Sequence, residues 1–256
     1  MKAILTNDDG IRAVGLRALY RALKEAGHEL RVIAPMTEQS AVGHSVTILS
    51  PLRAVLVEEA DFSGYGVFGT PTDCIKLGMS QLLDDFSPDI VLSGINAGAN
   101  VGPDILYSGT VAAATEAACR GIAALAVSYD NYRPVGIDAH ARYAVAAMEH
   151  IPWDKIPSRR VINLNMPDRP VAEFKGLAVC PQTTAVWHDW YYRREDPRGR
   201  PYWWLDGKIP EEDVRPGSDK GLLNEGWATL TPLKFEFTDA DTLKTLRYLP
   251  DRLLQQ

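Results

Sequence analysis

The 256-residue sequence predicts an α/β fold, and three observations carry that expectation. Short apolar runs of strand length alternate with longer segments of helical period from Lys2 to Asn165. Helix starts and stops fall between them in the right order, with glycine closing helices and proline ending or opening elements. Stretches of β and α signal that alternate in this way specify a mostly parallel sheet covered by helices on both faces. The expected architecture is Rossmann-like, plus an extended β-hairpin arm over 184–206 and a C-terminal helix. A single domain spans 1–256, with 234–256 a C-terminal segment used in self-association.

Lys2–Thr6 is a short buried strand, followed by Asn7-Asp8-Asp9-Gly10. From Leu16 to Ala26, Leu16, Leu19, Tyr20 and Leu23 recur at helical spacing, and Gly27 ends the helix. Glu29–Ala34 is the next strand, stopped by Pro35. Val46–Leu49 and Arg53–Val57 read as strands around Ser50-Pro51, and Gly64–Phe68 as another. Thr70 is an N-cap with Pro71 at the first helical position and Asp73 in the first turn, for a helix running to about Leu83. Asp89–Leu92 is a short apolar strand. The glycine-rich segment from Ser93 to Ser108 reads as a long loop, a feature that is often functional. Gly109–Cys119 is an alanine-rich helix, Ala123–Val127 a strand, Asp138–His150 a helix and Val161–Asn165 a strand. Trp187, Trp190, Trp203 and Trp204 crowd the arm on either side of the turn Asp196–Pro201. Gly226–Thr231 then forms a strand and Asp239–Leu249 a terminal helix.

Composition bounds the functional classes. Hydrophobic content of 46% and charged content of 23% are those of a globular protein. A net charge of −6 argues against a partner that is polymeric nucleic acid. No apolar stretch approaches the roughly 20 residues of a membrane span, and the first residues enter a strand without a leader. Cys74, Cys119 and Cys180 lack metal-ligand spacing and suit a reducing compartment, so the expected location is the cytoplasm, away from membranes. In the arm, exposed aromatics favour a contact between copies of the chain, although the interleaved Arg193, Arg194, Arg198 and Arg200 would also suit base stacking.

Ligands of open α/β sheets bind outside the carboxyl ends of the strands. That rule collects Asp8 and Asp9 after the first strand, Ser40 after the second, and Asn96 after Asp89–Leu92. Adjacent carboxylates repel and are tolerated when a cation or donors neutralise them; the plain alternative is an Asx turn capping the helix. Two carboxylates, a hydroxyl and a carboxamide are hard oxygen ligands suited to Mg²⁺ or Mn²⁺ rather than Zn²⁺. Ser108, Gly109 and Thr110 open the alanine-rich helix, where free N–H groups and the positive end of the dipole make an anion site. Capping by Ser108 is the plain alternative there. Asn100 either supports Asn96, touches the anion or forms a left-handed turn. Gly43 and His44 lie close to Ser40 in sequence, and a lone histidine is as readily structural. Asp104 and Glu116 read as capping or solvating residues, and Lys76 has no evident partner.

The ensemble of motifs resembles the stationary-phase survival protein family, SurE. The matching segments are Asn7–Gly10, Gln39–Thr47, Gly69–Cys74, Ser93–Asn100, Tyr107–Val111, Asn163–Pro167 and Gly226–Leu233. Met36 and Ala99 depart from residues common in the family, but neither is a ligand position. The resemblance implies a nucleotidase that uses one divalent cation per subunit to hydrolyse nucleoside 5′- and 3′-monophosphates, and in some members short polyphosphate. It implies Asp8, Asp9, Ser40 and Asn96 as metal ligands. Asp8, Asp9 and Asn96 are then the catalytic residues, and Asn96, Asn100, Ser108, Gly109 and Thr110 contact the substrate phosphate. The nucleophile is either a water held by the cation or Asp8. Homodimers or homotetramers follow, assembled partly through the hairpin and an exchanged C-terminal segment. The alternative is a non-catalytic nucleotide sensor built on the same loops.

Overall fold

A computed structural model describes residues 1–247 and 249 of the chain. Strand β1 (Lys2–Thr6) leads to helix α1 (Val14–Glu25) and strand β2 (Glu29–Pro35). An irregular segment precedes β3 (Ala54–Glu59) and β4 (Phe62–Val67), which form an antiparallel pair. Helix α2 (Pro71–Leu77), extended by a wider turn over Gly78–Leu82, precedes β5 (Ile90–Ala97). Helix α3 (Gly109–Cys119), β6 (Ala123–Tyr129), α4 (Asp138–His150) and β7 (Arg160–Met166) complete the winding. Strand β8 (Leu177–Val179) is followed by the antiparallel hairpin of β9 (His188–Glu195) and β10 (Pro201–Lys208). Helix α5 (Asp219–Glu225), β11 (Ala228–Lys234) and α6 (Ala240–Leu246) close the described chain.

Nine strands make one twisted sheet in the order β3-β4-β2-β1-β5-β6-β7-β11-β8. The five central strands, from β2 through β1, β5 and β6 to β7, are parallel, and the order reverses at β1, which lies between β2 and β5. This reversal is the switch point at which ligands of such sheets bind. Side chains of β1 alternate between the two faces, so Ala3 and Leu5 join one core while Ile4 joins the other. The first core packs Leu16, Leu19 and Leu23 of α1 and Ala141, Val145 and Met148 of α4 against the sheet. The second seats α2 and α3, and the alanines of α3 let that helix lie close to the strands and bury almost its whole surface.

Two expectations are corrected here. Val46–Leu49 is not a strand: Ile48 and Leu49 are 81% and 101% exposed, and no neighbouring strand pairs with them. Thr47 is instead tied by its N–H (2.9 Å) and hydroxyl (2.6 Å) to the Asp73 carboxylate. The glycine-rich segment after Leu92 is not one long loop. Strand β5 continues to Ala97 beside β6, past an irregularity in register between Ser93 and Asn96, and Gly102–Leu106 is a 3₁₀ turn. The hairpin arm forms with its strands at 188–195 and 201–208. The C-terminal helix forms over Ala240–Leu246, and residues 248 and 250–256 of the 234–256 segment lie outside the described residues.

Candidate active site

Asn7 closes the turn after β1 with both ends of its carboxamide: Nδ2 donates to the Gly10 carbonyl at 3.0 Å, and Oδ1 accepts the Gly10 N–H at 3.2 Å. Asn7 is therefore the Asx-turn residue. Helix α1 begins beyond it with Ala13 at the cap and no side-chain cap at all. Asp8 and Asp9 are thereby freed from capping, which removes the plain explanation for their adjacency.

The turn places both carboxylates where other elements converge. Asp8 is buried and accepts the Thr110 hydroxyl from the first turn of α3. Its carbonyl accepts the Gln39 N–H (2.8 Å), which fixes the loop carrying Ser40. Asp9 is half-buried and accepts the Ala97 N–H at 3.0 Å from the end of β5. Asn96 donates through Nδ2 to the Gly98 carbonyl at 2.8 Å, so its Oδ1 is left to face other partners. The Ser40 hydroxyl donates to Glu38 Oε1 at 2.6 Å and keeps its lone pairs as acceptors. Gly109 is required by close approach. A Cβ there would lie 2.8 Å from Asp8 Cβ and 3.0 Å from Asp8 Oδ2.

Burial pushes the Asp8 carboxyl above its ordinary range. Burial and the adjacent Asp8 charge push Asp9 up to about 7. Glu38 adds a third negative charge that raises both. Among the described residues, neither Asp8 nor Asp9 has a Lys, Arg or His partner within ion-pair distance. No three His, Cys, Asp or Glu side chains converge as a metal cluster among those residues. A cation at this rim therefore draws on the hydroxyl and carboxamide oxygens as well. The donor set is oxygen only and carries uncompensated negative charge, which fits Mg²⁺ or Mn²⁺.

The anion-binding half lies against it. Ser108 caps α3 by accepting the Val111 N–H at 3.1 Å, and the first turn of the helix is buried against Asp8. Gly43 N–H bonds the Tyr107 carbonyl (2.9 Å) and draws the Ser40 loop to this turn. His44 turns to the flank of α3, where its Nε2 meets Glu116 at 3.2 Å. Glu116 also holds Lys76 (3.4 Å) and Arg120 (3.2 Å), so the two residues read as solvating or unpartnered form one charge cluster. Asp104 accepts the Trp187 indole N–H at 2.5 Å. Asn100 is buried at the carboxyl ends of β6 and β7: Nδ2 donates to Ser128 Oγ at 2.9 Å, while Asn165 and Asn163 bond its backbone. These contacts tie Asn100 to β6 and β7 rather than to Asn96, and its backbone is not left-handed. Glu38 was not singled out from sequence, although it lies two residues before Ser40 on the same rim.

A doubly wound sheet with paired carboxylates facing a helix N-terminus at its switch point defines an α/β protein whose ligand site lies at the carboxyl-end rim. The family model described as Survival protein SurE matches residues 3–189, and the chain belongs to that family. It is 61% identical over 251 residues to a 5′-nucleotidase SurE of Nitratidesulfovibrio vulgaris (strain DP4), covering 98% of this chain and 100% of that protein. A 5′-nucleotidase SurE of Lawsonia intracellularis is 39% identical over 246 residues, covering 96% and 98%. The crystal structure of the SurE protein from Aquifex aeolicus superposes with a TM-score of 0.84 at 33% identity, covering 98% of this chain and 100% of that one.

Proposed function

We propose that this chain is a metal-dependent 5′-nucleotidase that releases phosphate from nucleoside 5′-monophosphates. One observation carries the reading: the Thr110 hydroxyl bonds Asp8, joining an uncompensated acidic pair to the N-terminus of α3. The relatives named 5′-nucleotidase support the same reaction. Asp8, Asp9, Ser40 and Asn96 would hold one divalent cation, Mg²⁺ or Mn²⁺. Such an ion supplies charge for the phosphoryl oxygens and lowers the pKa of a water bound to it.

The chain's own residues do the rest. The Gly109 N–H and the Ser108 hydroxyl would receive phosphoryl oxygens, with Thr110 holding Asp8 beside them, and the helix dipole favours the negative charge of the phosphate. The Ala97 N–H orients Asp9, and the Gly98 carbonyl takes the amide N–H of Asn96 and leaves its Oδ1 for a cation. Asn7 and Gln39 lock the backbone on either side of Asp8. Asn100 would meet the phosphate from a loop that its own backbone bonds to Asn163 and Asn165 anchor, and Gly43 and His44 position the Ser40 loop.

Nucleoside 3′-monophosphates and the ends of short polyphosphate chains present the same terminal group, and we extend the reading to both. The enzyme would work in the cytoplasm as a homodimer or homotetramer, using the 184–206 arm and the 234–256 segment as contacts. The test is phosphate release from nucleoside 5′- and 3′-monophosphates and tripolyphosphate with Mn²⁺, with Mg²⁺ and with EDTA. Metal-dependent release from the 5′-monophosphates is expected. Metal-dependent nucleotide binding without release would replace the enzyme with a sensor.

A further inference from the structure

Tyr132, in the loop after β6, lies with its ring against Gly98. A Cβ on Gly98 would fall 2.7 Å from Tyr132 Cε1, and the residue's φ of +108° also favours glycine. Gly98 is tied on both sides. Its N–H donates to the Tyr129 carbonyl at 2.8 Å, and its carbonyl orients the Asn96 carboxamide at 2.8 Å. One fixed residue thus separates the ring from a ligand of the candidate cation site. The rest of the ring is open: Tyr132 is 80% exposed, and no aromatic or cationic side chain stacks on it among the described residues.

The position suits a particular part of the substrate. With the phosphate at Asn96 and the start of α3, a nucleobase lies one ribose away, and Tyr132 stands beside Gly98 of the Asn96 loop and within electrostatic reach of Asp104, four residues before Ser108. Burial and the carboxylates of Asp104 and Asp130 push the Tyr132 phenol up, which keeps it protonated. Loops at the mouth of a rigid sheet are where recognition groups sit.

We infer that Tyr132 is a specificity residue, the platform on which the nucleobase stacks, with Gly98 as the glycine that lets the ring lie beside Asn96. This rests on the nucleotidase reading for its substrate. Every base offers a π-face, so stacking favours nucleotides over base-free phosphate esters while discriminating weakly among bases.

The experiment compares the wild type, Tyr132→Ala and Tyr132→Phe on a nucleoside 5′-monophosphate and on ribose 5-phosphate, with Mn²⁺. The expected result for Tyr132→Ala is a fall of about tenfold in the ratio of the two kcat/KM values, the size of one lost stacking contact, expressed mainly as a higher KM for the nucleotide. Tyr132→Phe keeps the wild-type ratio. An unchanged ratio in Tyr132→Ala, whatever happens to the separate rates, overturns the inference, because a merely structural residue affects both substrates alike. Equilibrium dialysis of both ligands with the Mn²⁺-loaded proteins reads the same ratio without turnover. A wild type that binds but releases no phosphate therefore ends the hydrolase reading, and the inference about Tyr132 still stands or falls on the binding ratio.

Discussion

The carboxyl-end rim of the sheet and the hairpin arm treat polarity in opposite ways. At the rim, polar side chains are buried and bonded to one another. Asn7, Asp8, Asn100, Ser108 and Thr110 are each less than 9% exposed, and all make hydrogen bonds. In the arm, all eight residues of β9 are exposed, and its aromatics face water on both sides. The pairing of Trp204 with Tyr192 and of Tyr202 with Arg194 puts Trp190, Tyr192, Tyr202 and Trp204 on one face. Tyr191, Trp203 and Leu205 occupy the other. An isolated hairpin is marginal in water, and large aromatic surfaces of this kind belong to interfaces. The difference shows where each region is incomplete. The rim lacks only positive charge, and the arm lacks a second surface.

The comparison can be broken at the rim first. Gly109→Ala sets a methyl against Asp8 Cβ and Oδ2, at 2.8 and 3.0 Å, and against Pro71 Cγ at 3.0 Å. Displacing a reacting constellation by such an amount costs about a hundredfold in rate. Overpacking at one site destabilises by roughly 1–3 kcal/mol, so phosphate-release assays are expected to collapse while the folded state survives in a thermal melt. An active Gly109→Ala variant would show that Asp8 and α3 need not touch.

Proton and cation compete for the same carboxylates, which sharpens the comparison. Asp9 is held at about 7, above the ordinary value of 3.8, by burial and Asp8. A raised carboxyl pKa means that the metal-free fold gains from the protonated form and loses stability as pH rises from 3.8 through 7. A bound cation replaces the proton, so the rise in Tm on adding Mn²⁺ is expected to grow between pH 5.5 and 8. Metal affinity should fall about tenfold per unit below 7 as Asp9 alone takes up its proton. Calorimetric titration across that range checks it, and a flat profile would separate Asp9 from the cation.

The arm gives the smallest effect on the fold. Exchanging Tyr191 and Trp203 for Ser on one exposed face should move folding stability by no more than about 0.5 kcal/mol per site. Sedimentation should nevertheless register a smaller assembly. Unchanged assembly would leave the arm without a partner surface.

Much of this was legible in the sequence where local signals agree. The apolar run of β1, the spaced leucines of α1 before Gly27 and the alanine run of α3 after Ser108 are such signals, and the bounds of these elements and of α4 fall within a residue or two of the expected ones. Val46–Leu49 misled because its β-branched pattern is local while its anchor, Asp73, is distant in sequence. Strand β5 was cut short because glycines masked its continuation, which depends on pairing with β6. That Asp8, Asp9, the end of β5 and the start of α3 meet at one rim was legible, because the strand-end rule converts sequence position into place. The partners of Asn100 were not, since Asn163 and Asn165 reach it from β7. The buried Asp219 was invisible for the same reason: its carboxylate takes the N–H groups of Gly102 (2.9 Å) and Thr183 (2.7 Å) from remote segments.

The most direct measurement is phosphate release from a nucleoside 5′-monophosphate by Asp8→Asn beside the wild type, each with Mn²⁺ and with EDTA. The account predicts release by the wild type that EDTA abolishes, and a loss of about a thousandfold or more in the variant, matching the several kcal/mol a metal centre contributes. The variant should melt as a folded protein. Wild-type turnover in EDTA, or full activity in Asp8→Asn, would contradict it.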